Sequence, residues 1–409
     1  MTSHGVVIVG AGHAGGAVAA QLRQYGFTDS IQLIGDEPIA PYQRPPLSKA
    51  WLKGSADGED LLLKAPDWYA MADIDLRLGT RVVALDRAAQ TVRLSDGSTS
   101  TYHHLILACG ARARRLPIPG EDLAHVGVLR TQADADWLKA RLVAGSSLAV
   151  IGGGYVGLET ASSARALGVT VTVIEREPRL LARVASEALS RFFLDRHLSH
   201  GVRFELAAEA ASIDRQCVRL RDGRGVDADT VLIGVGAAAE DTLARGAGLG
   251  CRDGVIVDGD ARTNDPAVFA IGDMTCRPSP ILDRHGRFES VPSALEQSKQ
   301  AAAAITGRSR PAPEVPWFWS DQYDLKLQIA GLGDGCDAVI QRGDAADDRF
   351  AVFHLRAGRL RCVEAVNAPA EFMAGRQMIA AGVRIDVARL RDPAISMKQV
   401  VSDSPPPGR

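Results

Sequence analysis

Apolar and polar positions follow one order of blocks twice along this chain. The run VVIV (residues 6–9) is continuous and β-branched, as a strand covered on both faces should be. It feeds the turn GAGHAGG and then small and apolar residues at helical spacing as far as Arg23. The stretch LAVIGGGYVGLETASSARALG (148–168) repeats that order. Each copy leads to a second apolar strand that ends in acid, IQLIGDE (31–37) and VTVIERE (171–177). Hairpin patterns follow: RVVALD (81–86) and TVRLSDGSTSTY (91–102), turning at Asp96-Gly97, then VRFELAAEAASID (202–214) and CVRLRDGRGVDAD (217–229), turning at Asp222-Gly223. An apolar strand running into small residues closes each set, LILACGA (105–111) and TVLIGVGA (230–237). The chain therefore reads as two copies of one nucleotide-binding unit.

Each turn spells G-x-G-x-x-G, at Gly10, Gly12 and Gly15 and again at Gly152, Gly154 and Gly157. The first glycine permits the tight strand-to-helix turn, the second lets a pyrophosphate touch backbone, and the third lets helix pack on strand. The anion then rests on the positive end of the helix. Asp36 and Glu175 end the following strands, roughly 20 residues on, where a carboxylate accepts hydrogen bonds from an adenosine ribose. Glycine turns also arise for packing alone, but two complete fingerprints predict two dinucleotides held together, with electrons passing between them.

Between and beyond the copies the patterns change. Pro45 and Pro46 in PYQRPPLSKAWL (41–52) suit a helix start, so PPLSKAW should open a short helix with Lys49 in its first turns. That lysine reads either as a surface residue or as one held near a flavin or a carboxylate. The strand of ARTNDPAVFAIGDM (261–274) ends at Gly272-Asp273, and ESVPSALEQSKQAAAAI (289–305) is a helix with proline near its start. Asp273 is a turn residue or a holder of ribityl or pyrophosphate oxygens; the helix start near Val291 favours negative charge. From residue 317, WFWSDQYDLKLQIAGL, AVIQRG, FAVFHLRAGRLRCVEAVN and EFMAGRQMIAAGV predict antiparallel strands and a helix. Trp317 and Trp319 share a strand face, for core packing or for a ring facing a flavin; SPPPGR (404–409) reads as a disordered tail. The fold class is α/β, with two Rossmann-like dinucleotide-binding domains and a C-terminal α+β domain. The boundaries are 1–112 with 245–316, then 113–244, then 317–409.

Composition removes several alternatives. With 409 residues and 46% hydrophobic content the chain can bury several cores, and a net charge of −2 without like-charge runs speaks against nucleic acid. The opening MTSHG enters the first strand at once, leaving no room for a signal peptide, and no apolar run is long enough to span a bilayer, so a cytoplasmic protein is expected. Six cysteines lie scattered with no C-x-x-C pair, which predicts neither disulfide framework nor metal site. No cysteine pair stands in residues 41–52, where a thiol-reducing flavoenzyme would need one; an NADH oxidase or peroxidase is disfavoured in the same way.

VVIVGAGHAGG, PYQRPPLSKAWL, LILACGAR, VLRT (128–131), IGGGYVGLE, AIGDM, SVPSALEQ and PWFWSDQ, in this order along nearly the whole chain, resemble the FAD-dependent NADH:ferredoxin reductases that serve bacterial oxygenases. The resemblance implies a glutathione-reductase-like fold. It implies tightly bound FAD on Gly10, Gly12, Ala14 and Gly15, with Asp36 at the adenosine ribose and the Val82 backbone at adenine. Lys49, Arg130, Asp273 and Val291 would surround the isoalloxazine, ribityl and diphosphate groups. NADH would bind at Gly152, Gly154, Gly157 and Glu175, with Arg183 near its adenosine. Lys49 and Glu159 would pair close to flavin N5, although Glu159 in the first turns of a helix also suits the helix dipole. Trp319 would cover the flavin edge. Electrons would pass singly to a [2Fe-2S] ferredoxin feeding a cytochrome P450 monooxygenase or a ring-hydroxylating dioxygenase.

Three positions depart from that family's pattern. Cys109 stands where threonine is usual, and GVGAAAED (234–241) replaces a G-x-G-x-x-P-N turn. Arg176, Arg179 and Arg183 cluster after Glu175; they could attract a 2′-phosphate, yet the carboxylate should repel it, so NADH is expected over NADPH. Two other readings use the same motifs: a redox-signalling FAD protein of the apoptosis-inducing-factor type, and a reductase of rubredoxin or another one-electron acceptor.

Overall fold

A computed structural model describes residues 3–402; the tail 404–409 lies outside the described residues. The chain divides into two compact units, one of Met1–Arg44, Ala56–Arg112 and Ala237–Pro316, the other of Pro45–Ser55, Ala113–Gly236 and Trp317–Arg409. The architecture is α/β, with both glycine-turn copies in parallel sheets and an antiparallel sheet near the C-terminus.

In the first unit, strand Ser3–Val9 lies parallel to Ile31–Ile34 on one side and to Thr99–Leu107 on the other. Ile74–Arg77 extends the sheet beyond Ile31–Ile34, and Val268–Ala270 adds to Thr99–Leu107, again in parallel. The sequence pattern suggests a hairpin strand and a separate apolar strand here; the structure makes them one. Residues 99–101 of Thr99–Leu107 pair antiparallel with Thr91–Leu94, and Leu105–Leu107 pair with Val268–Ala270. Helix His13–Gln24 leaves the glycine turn and packs on helix Val291–Ile305, where Ala294, Ala301 and Ala302 meet Ala14, Val18 and Leu22 in a common core. Small side chains on both helices allow that close approach.

In the second unit, Ser147–Ile151, Thr170–Glu175, Arg203–Leu206, Thr230–Ile233 and Val126–Gly127 form a parallel sheet, with helix Tyr155–Ala166 after the glycine turn. Leu158, Ala161 and Ala164 bury one face of that helix completely. The C-terminal segment forms five antiparallel strands in the order Trp317–Gln322, Leu325–Gly331, Arg359–Val366, Arg349–Arg356, Ala338–Asp344. Helix Pro369–Ala381 follows and ends at Gly382, whose φ of 60° closes it in the left-handed form that glycine tolerates.

The segment 45–55 belongs to this second unit. Pro45–Ser48 forms a single 3₁₀ turn rather than the short helix expected from its prolines. The amide of Lys49 donates to Pro46 O at 3.0 Å, a three-residue span, while Trp51 Nε1 donates to Asp136 Oδ1 at 2.8 Å and Leu52 is buried with Leu138 and Val150. Burying a leucine side chain contributes about 1.5–3 kcal/mol, which anchors the strip against this unit.

Candidate nucleotide-binding and redox site

Both glycine turns have the geometry their spacing predicts, and the three glycines in each do different things. Gly10 has φ +112° and Gly152 φ +115°, and a Cβ there would lie 2.3 Å from Ala108 O and 2.4 Å from Gly234 O. A Cβ on Gly15 would stand 1.9 Å from Gly10 O, and on Gly157 2.3 Å from Gly152 O, so helix and strand touch there. The middle glycines face open space: a Cβ on Gly12 would find only Arg44 Nη2 at 4.0 Å, and one on Gly154 nothing within 4 Å. That opening at the head of a helix is where backbone amides can meet a pyrophosphate. Both cradles therefore fit a dinucleotide.

Around the first turn, the 3₁₀ turn Gly272–Met274 abuts the start of helix His13–Gln24, since a Cβ on Gly272 would be 3.1 Å from Ala14 Cβ. Gly272 N donates to Gln297 Oε1 at 2.8 Å, tying the same turn to helix Val291–Ile305. Ser290 caps that helix by accepting from Ser293 N, which sets Val291 as its first residue. Asp273 and His13 interact electrostatically; burial lowers the His13 pKa, Asp273 opposes this, and His13 Nδ1 is buried without a hydrogen-bond partner. Strand Ile31–Ile34 stops two residues short of Asp36, which the sequence pattern puts at its end and which instead lies in the bend that follows, pairing with Arg81 at 3.1 Å on the surface; Val82 begins strand Val82–Asp86. Cys109 N donates to Met274 Sδ at 3.2 Å, and burial pushes the Cys109 thiol up to about 12, far from a reactive thiolate.

In the second unit, Glu175 does more than end a strand. Its Oε2 accepts from Gly153 N at 2.6 Å and its Oε1 from Glu177 N at 2.8 Å, so the carboxylate locks the glycine turn to the strand end. Of the clustered arginines, Arg179 is spent on structure, donating to Ala182 O, Ala185 O and Ser190 Oγ. Arg176 pairs with Glu177, and Arg183 lies near Gly236, whose hypothetical Cβ would be 3.6 Å from its guanidinium. Gly236, in the departing GVGAAAED segment, has φ +102° and accepts from Arg114 N through its carbonyl at 2.9 Å. Lys49 and Arg130 also belong to this unit; the Arg130 amide donates to Asp134 Oδ2.

Lys49 Nζ meets Glu159 Oε2 at 2.6 Å, with the glutamate 6% and the lysine 16% exposed in their side chains. Ser48 Oγ donates to the same oxygen at 2.5 Å, and Ser320 Oγ donates to Oε1 at 2.6 Å. A buried carboxylate costs several kcal/mol unless paired and hydrogen-bonded, and here both oxygens are served. Sequence reasoning reaches Lys49 and Glu159 but misses Ser48 and Ser320. The available signal is alternation in WFWSDQ: Trp317 and Trp319 take one face, their rings 5.8 Å apart, leaving Phe318, Ser320 and Gln322 on the other. Phe318 packs edge-on to Tyr155 at 4.8 Å, while Trp317 contacts Phe372 and Arg376.

Residues 4–298 match the family model described as pyridine nucleotide-disulphide oxidoreductase, and residues 317–401 the model described as reductase C-terminal. A probable ferredoxin reductase of Castellaniella defragrans is 48% identical over 96% of this chain and 97% of its own. The ferredoxin–NAD(+) reductase component of an anthranilate 1,2-dioxygenase system from Burkholderia cepacia is 41% identical over 97% of this chain and 99% of its own. Among solved structures, the covalent putidaredoxin reductase–putidaredoxin complex superposes with a TM-score of 0.95 at 38% identity, covering 97% of this chain and 98% of that one.

Proposed function

We propose, on the premise that this chain belongs to the pyridine nucleotide-disulphide oxidoreductase family and to the ferredoxin reductases within it, that it carries electrons from NADH through FAD to a [2Fe-2S] ferredoxin serving an oxygenase. The observation that carries the reading is the pair of dinucleotide cradles, each open only at its middle glycine. Bound FAD supplies a group that accepts a hydride and gives up electrons one at a time.

The chain's own residues bind, orient and hold charge. We assign Gly10, Gly12, Ala14 and Gly15 to the FAD pyrophosphate, Asp36 to its ribose and the Val82 backbone to adenine. Asp273 and Val291 go to the ribityl and diphosphate side, with Lys49 and Arg130 as further flavin contacts. The open backbone at Gly154, with Gly152, Gly157, Glu175 and Arg183, is assigned to NADH. Lys49, held by Glu159, sets a fixed positive charge at the reacting edge, and Trp319 covers that edge. A thiol route is disfavoured, because all six cysteines are free and burial raises the thiols of Cys109, Cys217, Cys251, Cys336 and Cys362. No helix among the described residues is long and apolar enough to cross a membrane, and the free cysteines suit the reducing cytoplasm, where we place the protein.

Rapid mixing tests the reading. NADH should bleach the flavin within the turnover time, and the reduced protein should pass electrons to an oxygenase ferredoxin coupled to cytochrome c; slow bleaching would favour a redox-signalling role. Preference for NADH is attributed to Glu175, supported by the commitment of Arg179 to backbone carbonyls. Glu175→Ala should lower the NADH-to-NADPH ratio of kcat/KM about tenfold, the scale of one charge-assisted contact. An unchanged ratio would remove that assignment.

A further inference from the structure

The hydrogen bonds around Glu159 do not stop at Ser320. Gln322 Nε2 donates to Ser320 Oγ at 3.1 Å, Gln322 Oε1 lies 2.8 Å from His197 Nε2, and His197 Nδ1 lies 2.9 Å from Tyr323 OH. Ser320, Gln322 and His197 are each at most 1% exposed. The polarity of the whole chain follows from its inner end. An ionised carboxylate only accepts, so Ser320 spends its one proton on Glu159 and must accept from the Gln322 amide. That turns the Gln322 carbonyl towards His197, whose Nε2 must then carry the proton, leaving Nδ1 to accept from Tyr323 OH. Every donor points the same way, towards Glu159, and such aligned bonds polarise one another. The amide in the middle donates and accepts through different atoms, so the chain transmits polarisation and position rather than a hopping proton.

We propose that Ser320, Gln322 and His197 are positioning residues for the Lys49–Glu159 pair, forming a one-way hydrogen-bond chain that ends on the carboxylate and fixes where the lysine ammonium stands. This rests on the reading that the pair acts at the flavin. The neutral imidazole that the chain requires agrees with its burial, which lowers the His197 pKa to about 4, aided by nearby His200 and opposed by the Gln322 bond. Tyr323 is itself held: its amide donates to Ser162 Oγ at 2.8 Å and its ring stacks on His200 at 3.7 Å. The outer end of the chain is therefore anchored as well.

Two measurements on the FAD-loaded protein test this. Histidine ¹⁵N NMR should find His197 neutral and protonated on Nε2 between pH 6 and 8; an Nδ1-protonated or charged ring overturns the proposal. In single-turnover mixing with NADH, Ser320→Ala should slow flavin reduction about tenfold, the scale of one hydrogen bond to a charged group, with FAD content and melting temperature kept. Ser320→Thr, which retains the hydroxyl, should recover most of the rate, and Ser320→Ala added to Lys49→Met should cost little beyond Lys49→Met alone. If Lys49→Met itself reduces at the unaltered rate, the flavin reading of the pair falls. If Lys49→Met is slow while Ser320→Ala is not, the positioning role alone is overturned. Should Ser320→Ala fail to fold, the tautomer of His197 in the unaltered protein still decides.

Discussion

At the scale of single residues, the three glycines of a fingerprint make separable predictions. Gly12 has φ −85°, open to any residue, and no neighbour that a side chain would strike. Gly12→Val should therefore leave a folded protein that no longer retains FAD, read as loss of the yellow chromophore with far-ultraviolet circular dichroism intact. Gly15→Ala should fail earlier, because its methyl would meet Gly10 O at 1.9 Å and part the helix from the strand. Equal outcomes for the two variants would mean that Gly12 is not the cofactor face. These glycines are legible in sequence because their spacing is itself a local pattern, although Gly10 and Gly152 also meet backbone far along the chain, at Ala108 and Gly234. The partners of Glu159 are not, since Ser48 is 111 and Ser320 161 positions away, and a serine carries no periodicity that announces what it will bond. Glu175 sits between the cases: its place at a strand end is readable, but its bond to Gly153 appears only when strand and turn are folded together.

At the scale of elements, helix Val291–Ile305, whose start we assign to the flavin side, shows how a buried helix is held in place. Glu296 on its buried side pairs with Arg277 at 2.7 Å, the two side chains 3% and 6% exposed, and Arg277 also donates to Ser293 Oγ and stands over the Phe288 ring. Glu296 Oε1 further accepts from Glu314 N and Gln300 Nε2. Removing one partner of such a buried pair leaves an uncompensated charge, so Arg277→Met should cost about 3–5 kcal/mol. Thermal unfolding followed by flavin release checks this, and an unchanged midpoint would show that the helix is held by its alanine contacts instead. Elements with a strong period are legible: both glycine-turn helices and helix Pro369–Ala381 fall where spacing puts them. Residues 45–48 are not, because two prolines suit an α-helical start and a 3₁₀ turn alike, and tertiary contacts of Trp51 and Leu52 select between them.

At the scale of the whole molecule, buried and half-buried histidines set the response to acid. His197, His104 and His13 all have lowered pKa values, in each case chiefly through burial. The unfolded chain then binds protons that the fold refuses, so stability is complete above the ordinary histidine value near 6.5 and falls as pH drops towards about 4. His197 alone accounts for about 3 kcal/mol across that window, since its pKa lies at about 4 against the ordinary 6.5. The thermal midpoint should therefore be lower at pH 5 than at pH 7.5, and a flat profile would mean that His197 is charged in the folded state. The aspartates held below their ordinary range, Asp96, Asp214, Asp222 and Asp229, act in the same direction only at still lower pH.

The division of the chain bears also on its synthesis. It passes from one unit to the other five times, so neither unit is a contiguous stretch. Strand Thr99–Leu107 emerges from the ribosome long before Val268–Ala270, the neighbour that covers its edge, and must wait with backbone groups unpaired. Glu159 likewise stays without its Ser320 donor until translation has passed the final crossing at residue 317. A nascent protein stopped anywhere before that point carries an exposed sheet edge or an incompletely served carboxylate. Substitutions that delay those late contacts should therefore lengthen the time the nascent chain spends on chaperones.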